Sequence, residues 1–360
     1  MVKTIYYYIE TMHYLKYYIP LIQIFNKKNY KNLIYFEHGR QKTATDNQAP
    51  KLHIKYLNEL SIKYNFQLKH INEFENKKAI LFVVEGATGQ QITKQQNKKY
   101  KIISLTYAWD FYFLYDCYID NIDFCIFSLK KEYVNKLFFH ESRKGIKFNK
   151  FDNNMKKNLF LGPSYLNSKN EYNNNDIIKK YNIPVNRKYI FVFLPLTHYP
   201  LPGGGKLNFK ILIKILNFFV GKGYYLLLKT KNKWAYPDNF IKNKNYSKYF
   251  TDITHYPHTS SELIYISDFV LSFNSSGFME ALHFKKPVIN FNMKYLSGKV
   301  FNKINNFLIN KYSQYIKGDY NNLENNYTNV KKIIEQNQFD NYDFIGKTPI
   351  NDIVKLVETL

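Results

Sequence analysis

The sequence predicts an α/β protein built from two doubly wound domains in tandem, with a ligand cleft between them. The first observation is length, because 360 residues exceed one typical core and suggest domains of about 100–200 residues each. The second is an alternation of short apolar runs with amphipathic segments, which is typical of parallel sheets with crossover helices. The third is that this alternation restarts after a polar, Asn-rich stretch at residues 167–175.

The first half of the chain contains six apolar runs that we interpret as strands. They are residues 4–8, 33–36, 79–84, 101–106, 124–128 and 159–161. Residues 12–26 and 51–64 carry apolar side chains at helical spacing and are predicted helices. These elements form the first predicted domain, residues 1–166.

The second half repeats the pattern. Its predicted strands are residues 189–194, 224–228, 268–273 and 288–291, and its main predicted helix is 209–220. They form the second predicted domain, residues 176–340, and the tail at 341–360 is predicted to end in a C-terminal helix. Because ligands of parallel sheets bind at the carboxyl ends of the strands, the residues that follow each strand are the candidates for function.

The charge balance narrows the choice of partners. Lys and Arg number 52 and Asp and Glu 28, which gives a formal net charge of +24. Such a charge favours polyanions, including nucleic acid, anionic lipid and phosphorylated substrates. The lysines are spread along the whole chain, which is also rich in Asn, Ile, Tyr and Phe. We interpret this as coding bias, and it argues against nucleic acid as the partner.

Cysteine use and hydropathy indicate the compartment. Cys117 and Cys125 form neither a metal-ligand pattern nor a disulfide framework. The first residues lack the apolar core of a signal peptide, and no stretch of about 18 apolar residues is present. We therefore expect a cytoplasmic protein, with peripheral contact to an anionic membrane at its inner face as a possible addition.

The most informative segment is residues 268–291, which reads as strand, turn, helix and strand. The helix begins at Ser275, Ser276 and Gly277. Hydroxyls and free backbone N–H groups at a helix start form an anion site, usually for phosphate. Glu280 lies one turn further on, where a carboxylate reaches a ribose or sugar hydroxyl. The alternative is an ordinary helix cap, because Ser and Gly favour that position anyway.

This segment resembles the donor site of GT-B glycosyltransferases, which have two Rossmann-like domains and a cleft. The resemblance rests on Ser-Ser-Gly-x-x-Glu-Ala-Leu at 275–282 and Lys-Pro-Val at 286–288. Similar signatures occur in capsule and lipopolysaccharide transferases and in CDP-glycerol glycerophosphotransferases of teichoic acid synthesis. The resemblance implies that Ser275, Ser276 and Gly277 meet the donor phosphate and that Glu280 meets the ribose or sugar.

Four further donor-side residues follow from the same resemblance. Lys229 ends a strand, where it would neutralise the donor phosphates, although its tetrapeptide Lys-Thr-Lys-Asn lacks the Lys-x-His-Pro of the teichoic acid enzymes. Gly203 and Gly204 follow the first strand of the second half and permit close backbone approach to a ligand. Thr259 would border the nucleotide base, and with Glu262 it also fits a capping box. The alternatives are a solvated lysine, a flexible turn and a plain helix start.

The acceptor side is assigned to the first half. His13 follows the first strand and resembles the general base of this fold, with Asp110 after a later strand as its orienting partner. A histidine suits that role because its pKa lies near working pH. Rival bases are Glu85, and Glu37 with His38, since each also follows a strand.

The sequence thus predicts a metal-independent glycosyltransferase that moves a sugar from a nucleotide-activated donor to a glycan or lipid-linked acceptor of a surface glycan. It contains no His–Cys cluster and no Asp-x-Asp motif, so we expect no metal, and no cofactor other than the nucleotide-sugar as co-substrate. Dinucleotide and P-loop spacings are missing, which excludes those classes. The alternatives are a CDP-glycerol-type glycerophosphotransferase, a UDP-sugar 2-epimerase and a non-catalytic basic binding protein.

Overall fold

The chain divides into two units. The computed structural model describes residues 3–37, 53–84, 90–95, 97–106, 115–138, 150–166, 172–195, 209–229, 245–250, 259–273, 275, 277–291, 307–341, 343 and 349–360. Unit 1 is Met1–Lys169 with Asp343–Leu360, and unit 2 is Asn170–Tyr342. The C-terminal helix, which the sequence analysis left outside both domains, is therefore part of unit 1.

Unit 1 contains a parallel sheet in the order β3-β2-β1-β4-β5-β6-β7. Its strands are β1 (Thr4–Ile9), β2 (Lys31–Phe36), β3 (Gln67–His70), β4 (Ile80–Val84), β5 (Lys101–Leu105), β6 (Phe124–Ile126) and β7 (Asn158–Leu159). Its helices include α1 (Leu15–Lys27), α2 (Ile54–Tyr64), α3 (Gln90–Thr93), α4 (Tyr115–Tyr118) and α5 (Lys131–Phe138). Single 3₁₀ turns lie at Met12–Tyr14, Ile71–Glu73 and Ile119–Asn121, and a longer 3₁₀ segment at Asp152–Lys157.

Unit 2 contains a second parallel sheet in the order β10-β9-β8-β11-β12-β13. Its strands are β8 (Lys188–Phe193), β9 (Tyr224–Lys229), β10 (Ser247–Phe250), β11 (Phe269–Ser272), β12 (Val288–Phe291) and β13 (Tyr315–Gly318). Its helices include α6 (Asn174–Tyr181), α7 (Phe209–Gly221), α8 (Thr259–Ile266), α9 (Phe278–His283) and α10 (Leu323–Glu335). The last helix of the chain, α11 (Pro349–Thr359), returns to unit 1.

Both sheets have the strand order of a doubly wound fold. In each, the first strand of the unit lies at the centre, with the second and third strands on one side and the fourth and later strands on the other. Every pairing between described strands is parallel, as crossover helices require. The predicted α/β class with two Rossmann-like domains is confirmed.

The sequence analysis found the central strands and missed three edge strands. Each predicted strand is present, with bounds shifted by up to two residues. The missed strands are β3, β10 and β13, and each lies at the edge of its sheet. Their residues are largely half-exposed or exposed. An edge strand is covered on one side only, so its sequence lacks the apolar run on which the prediction depends.

Each sheet is covered by helices whose apolar side chains form the core. In unit 2, α7 and α10 pack on one face of the sheet through buried residues such as Leu212 and Val330, and α8 and α9 adjoin strands β8, β11 and β12. In unit 1, α1 buries Phe25 completely, next to the ring of Phe82 in β4. A fully buried side chain of this size contributes about 1.5–3 kcal/mol. These cores hold the strand ends in fixed positions.

Candidate functional site

Each sheet has one topological switch point at its carboxyl edge. In unit 1 it lies between β1 and β4, and in unit 2 between β8 and β11, because the strand order reverses there. Ligands of open α/β sheets bind in the crevice at such a point. The residues after these strands therefore form two candidate regions, one in each unit.

The switch point of unit 1 is opened by a separation of its two central strands. The registered pairs between β1 and β4 end at Tyr7 and Phe82, although each strand runs two residues further. The buried hydroxyl of Tyr18 in α1 lies 3.0 Å from the carbonyl oxygen of Tyr8 and 3.3 Å from that of Phe82. Its single proton is shared between these two carbonyl oxygens, so α1 supplies a hydrogen bond at the point where the registered pairing ends.

His13 lies directly at this switch point. It sits in the 3₁₀ turn Met12–Tyr14 that follows β1, and its backbone N–H donates to the Thr11 hydroxyl at 3.2 Å. The side chain is 8% exposed, which places the imidazole in a mostly desolvated position. The sequence prediction of a general base thus falls on a residue in a suitable place. Its predicted partner Asp110, and the rivals Glu85 and His38, lie outside the described residues.

The rival base Glu37 follows β2, beside β1. Its backbone N–H donates to the carbonyl oxygen of Ile9 at 3.0 Å, which extends the strand pairing by one step. Its carboxylate accepts a short hydrogen bond from the hydroxyl of Tyr8. Tyr8 is almost fully buried, so the carboxylate is held by a rigid side chain of the central strand. The sequence showed the carboxylate but not its partner.

The predicted phosphate-binding turn of unit 2 lies between β11 and α9. The N–H of Ser275 donates to the Ser272 hydroxyl at 3.2 Å, and the N–H of Gly277 donates to the Ser275 hydroxyl at 3.3 Å. The N–H of Phe278 reaches the Ser275 carbonyl oxygen at 3.3 Å. The N–H groups of Ser275 and Gly277, which we expected to be free, are therefore already donated to serine hydroxyls of the turn. Ser276 lies outside the described residues.

Gly277 also contacts the end of the central strand closely. A Cβ atom on this residue would lie 2.1 Å from Cζ of Phe193, the last residue of β8. Real Cβ contacts are never this short, so a side chain at position 277 would displace the aromatic ring. The glycine thus allows the turn to lie against the carboxyl end of β8.

Glu280 is buried inside α9 and connected to α8. Its side chain is 2% exposed, and its carboxylate accepts a hydrogen bond of 3.0 Å from the Ser261 hydroxyl. Burial lowers the pKa of His283, one turn further along α9, and the charge of Glu280 raises that pKa in opposition. The structure therefore brings together two segments that the sequence analysis treated separately, 259–262 and 275–280. It adds Ser261, which no pattern within its own segment had singled out.

Thr259 begins α8 and is buried there. Glu262, its predicted partner in a capping box, accepts from Lys180 Nζ at 2.9 and 2.6 Å and from the hydroxyl of Tyr181. These contacts tie α8 to α6. They therefore hold α8 in place, and α8 carries Ser261 directly before Glu262.

Lys229 shares a sheet face with the turn. It is the last residue of β9, registers with Phe193 of β8, and Phe193 registers with Ser272 of β11. Registered neighbours in parallel strands project to the same face, and strands lie about 4.8 Å apart. The Lys229 side chain, 8% exposed, thus lies on the same face and edge as the serine turn. Gly203 and Gly204 lie outside the described residues.

Two further properties concern metals and membranes. Within the described ranges, no group of three or more His, Cys, Asp or Glu side chains is placed to hold a metal ion. No helix in the same ranges is both long and apolar enough to cross a membrane.

Comparison with solved structures identifies the fold. A variant of the wall teichoic acid polymerase TagF superimposes with a TM-score of 0.64 at 14% identity, covering 99% of this chain and 88% of that one. The UDP-GlcNAc 2-epimerase from Neisseria meningitidis, bound to UDP-GlcNAc, has a TM-score of 0.60 at 12% identity, with both chains covered completely at 100%. These neighbours share the GT-B-type architecture. The chain has a GT-B-type fold.

Sequence comparison adds no family. No protein-family model matches the chain, and no curated protein matches it. The glycotransferase of kitacinnamycin is a more distant GT-B-type neighbour, with a TM-score of 0.50 at 8% identity over 98% of both chains. At these identities the likeness concerns the fold, and function has to be argued from the residues.

Proposed function

We propose that the protein is a glycosyltransferase that uses a nucleotide-activated sugar. One observation carries the proposal: among the described residues, those singled out by the sequence lie at the carboxyl edges of the two sheets, at the switch point or one strand from it. Lys229, Ser275 and Gly277 share one edge and face in unit 2, and His13 lies at the corresponding edge of unit 1. Crevices at such edges are the usual ligand sites of this fold class.

The proposed donor region uses charge and hydroxyl groups. The mostly buried ammonium of Lys229 favours an anion at this edge, since opposite charges attract more strongly where water is excluded. The Ser275 hydroxyl accepts from Gly277 and keeps its own proton for a phosphate oxygen. Glu280, Ser276, Thr259, Gly203 and Gly204 complete the proposed donor set.

The proposed reaction is a direct displacement at the anomeric carbon. An acceptor oxygen forms a bond to that carbon, and the bond from the carbon to the donor phosphate breaks. The electron pair leaves on the phosphate oxygen, whose charge Lys229 and Ser275 stabilise. His13 takes the proton of the acceptor hydroxyl, with Asp110 as its proposed orienting partner. The rival bases are Glu85, and Glu37 with His38. The proposal needs no metal and no cofactor besides the nucleotide-sugar.

The proposed acceptor is a surface glycan or its lipid-linked precursor. The net charge of +24 supports attraction to phosphate-bearing or lipid-bound acceptors at an anionic membrane surface. The likeness to TagF, a wall teichoic acid polymerase, supports the same class of product. We therefore propose a cytoplasmic enzyme that acts at the inner membrane face.

A second candidate is a UDP-sugar 2-epimerase. It is favoured by the complete coverage of both chains in the superposition on the Neisseria meningitidis enzyme. An epimerase converts the free nucleotide-sugar with no acceptor present. Incubation with UDP-GlcNAc alone, followed by NMR at the C2 proton, separates the two candidates: conversion establishes the epimerase, and an unchanged sugar leaves the transferase.

The first experiment is a thermal-shift screen with UDP, GDP, CMP, CDP and their sugar conjugates. A nucleotide at about one hundred times its dissociation constant adds roughly 2.7 kcal/mol of stability. Pyrophosphate serves as a control for unspecific anion binding to this basic chain. A shift with CDP or CDP-glycerol would favour the glycerophosphotransferase alternative. No shift with any nucleotide would contradict the proposal and favour the basic binding protein.

A matched pair of lysines tests the donor region. Lys229 ends β9, and Lys248 lies in the neighbouring strand β10, where its ammonium donates to the carbonyl oxygens of Tyr181 and Asn182. We expect Lys229→Gln to abolish the nucleotide-induced shift and Lys248→Gln to retain it. Equal losses in both variants would show a general charge effect in place of a site.

A further inference from the structure

Tyr8 and Glu37 form a hydrogen-bonded pair at the carboxyl edge of the sheet in unit 1. Tyr8 registers with Tyr35 in β2, and Glu37 lies two residues beyond Tyr35. Side chains two apart along a strand project to the same face, so Glu37 emerges beside Tyr8 at the carboxyl edge. The Tyr8 hydroxyl donates to one of its carboxylate oxygens.

The Glu37 carboxylate is half-buried, and no ion pair of it is found among the described residues. Among the residues that the structure describes, Tyr8 is the one hydrogen-bond donor to the Glu37 side chain, and no lysine forms an ion pair with it. This is unusual in a chain of net charge +24, where lysines are plentiful. The second carboxylate oxygen keeps its lone pairs for another donor.

The location of Glu37 indicates which kind of ligand its second carboxylate oxygen binds. Glu37 follows β2, His13 follows the neighbouring β1, and adjacent strands lie about 4.8 Å apart. A carboxylate held by a buried tyrosine at the carboxyl end of β2, one strand away from the strand that precedes the proposed base, suits a neutral ligand with hydroxyl groups. A phosphate group would be repelled by it.

We propose that Glu37 binds the acceptor by accepting a hydrogen bond from one of its hydroxyl groups, and that Tyr8 is its positioning residue. The inference rests on the proposed function and names the class of group read at this edge: a polyhydroxylated, uncharged part of the acceptor. It assigns Glu37 to acceptor binding and leaves the proton to His13.

Tyr7 supplies a matched control for Tyr8. It is the preceding residue of β1 and is equally buried, and its hydroxyl donates to Asn32 Oδ1 at 3.0 Å. Asn32 lies near the amino end of β2 and also bonds Asn26, far along the strand from the carboxyl edge. Tyr7→Phe and Tyr8→Phe remove the same atom from consecutive residues of β1, whose side chains project to opposite faces of the sheet. Each substitution removes the hydroxyl donor to one side-chain oxygen.

The experiment compares wild type with Glu37→Gln, Tyr8→Phe and Tyr7→Phe. Nucleotide binding is first measured by calorimetry with UDP and CDP. Release of nucleotide from UDP-GlcNAc and CDP-glycerol is then followed with methyl β-glucoside, glycerol or water as acceptor probes. We expect Glu37→Gln to raise the acceptor KM about tenfold with donor affinity unchanged, Tyr8→Phe to raise it about threefold, and Tyr7→Phe to leave it unchanged.

Each result has one meaning. A wild type that binds no nucleotide overturns the proposed function itself. If wild type binds and turns over, an unchanged acceptor KM in Glu37→Gln overturns this inference alone, and so does an equal change in both tyrosine variants. A wild type that binds nucleotide but releases none with any probe also overturns it, because this edge would then present no hydroxyl to a donor.

Discussion

The two units share a strand order but differ at the carboxyl edge. In unit 2, pairing between the central strands continues to their last residues, Phe193 and Ser272. In unit 1 the registered pairing between β1 and β4 ends two residues before the strands do. There the Tyr18 hydroxyl lies within hydrogen-bond distance of the carbonyl oxygens of Tyr8 and Phe82. In unit 2 the paired strand ends lead into a tight turn of serines and glycine, whereas in unit 1 the separated strand ends lead into a 3₁₀ turn that carries a buried histidine. The same topology therefore presents different chemistry through the residues that follow the strands.

Both edges hold one carboxylate through a hydroxyl group. Glu37 in unit 1 is held by Tyr8, and Glu280 in unit 2 by Ser261. The first is half-buried and the second almost fully buried. A hydroxyl group fixes a carboxylate and leaves its negative charge in place, whereas a lysine would cancel that charge. The two edges differ in the residue that accompanies the carboxylate, which is Lys229 in unit 2 and His13 in unit 1. We therefore expect unit 2 to bind the anion and unit 1 to handle the proton and the hydroxyl group.

The largest effect is expected from His13→Ala. Removal of a general base lowers turnover by about 10²–10⁴-fold, while donor affinity, which belongs to unit 2, stays unchanged. Steady-state kinetics and calorimetry measure the two quantities separately. His70→Ala is the control, because His70 in the same unit accepts from a backbone N–H at the start of a 3₁₀ turn. Unchanged turnover in His13→Ala would move the base to another strand end and break the comparison.

The next effect is expected from Gly277→Ala. The new methyl group would lie 2.1 Å from Cζ of Phe193, and such overpacking costs about 1–3 kcal/mol. We expect a lower melting temperature and weaker nucleotide binding, both restored by adding Phe193→Leu. Gly221→Ala in α7 is the control, since no atom lies within 4 Å of its added Cβ and such a change stabilises by about 0.4–1 kcal/mol. Equal effects at both glycines would refute the close approach at β8.

The fold could be predicted because central strands of parallel sheets are buried on both faces. Tyr7, Leu271 and Ile289 are fully buried, and their strands read as apolar runs in the sequence. The strands β3 and β13 carry polar residues such as Lys69 and Lys317, so only their pairing reveals them. A strand is visible in the sequence when burial makes its residues apolar, and the residues of an edge strand are less buried.

The positions of the candidate site residues could be predicted in part for a similar reason. His13, Lys229 and the serine turn follow or end strands, and strand ends are visible in the sequence, whereas the roles of these residues stay predictions. Tyr8 and Ser261 were missed, because their roles depend on which distant residue the packing brings to the hydroxyl. No spacing within one segment carries that information.

A smaller effect, on donor affinity, is expected to distinguish the buried carboxylates of Glu280 and Glu262 in unit 2. Glu280→Gln should weaken donor binding about tenfold, which is about 1.4 kcal/mol. The reason is that an amide is a weaker acceptor than a carboxylate for a ribose or sugar hydroxyl. Glu262→Gln changes a carboxylate on α8 that is bound by Lys180 and Tyr181, so it should lower the melting temperature and leave donor affinity intact. Equal affinity in both variants would remove Glu280 from the donor site.

The smallest effect is a pH dependence confined to unit 2. Burial lowers the pKa of His283 below its ordinary value of 6.5, and the charge of Glu280 partly opposes this. The unfolded chain therefore binds a proton more readily as the pH falls through about 6.5, so stability present above this value is lost toward the lower folded pKa. Urea unfolding between pH 8 and pH 5 measures the slope, which His283→Gln should flatten. Glu280→Gln should extend the slope to lower pH, because the pKa of His283 then loses the neighbouring charge that raises it. If neither substitution changes the slope, the pH dependence of stability does not come from α9.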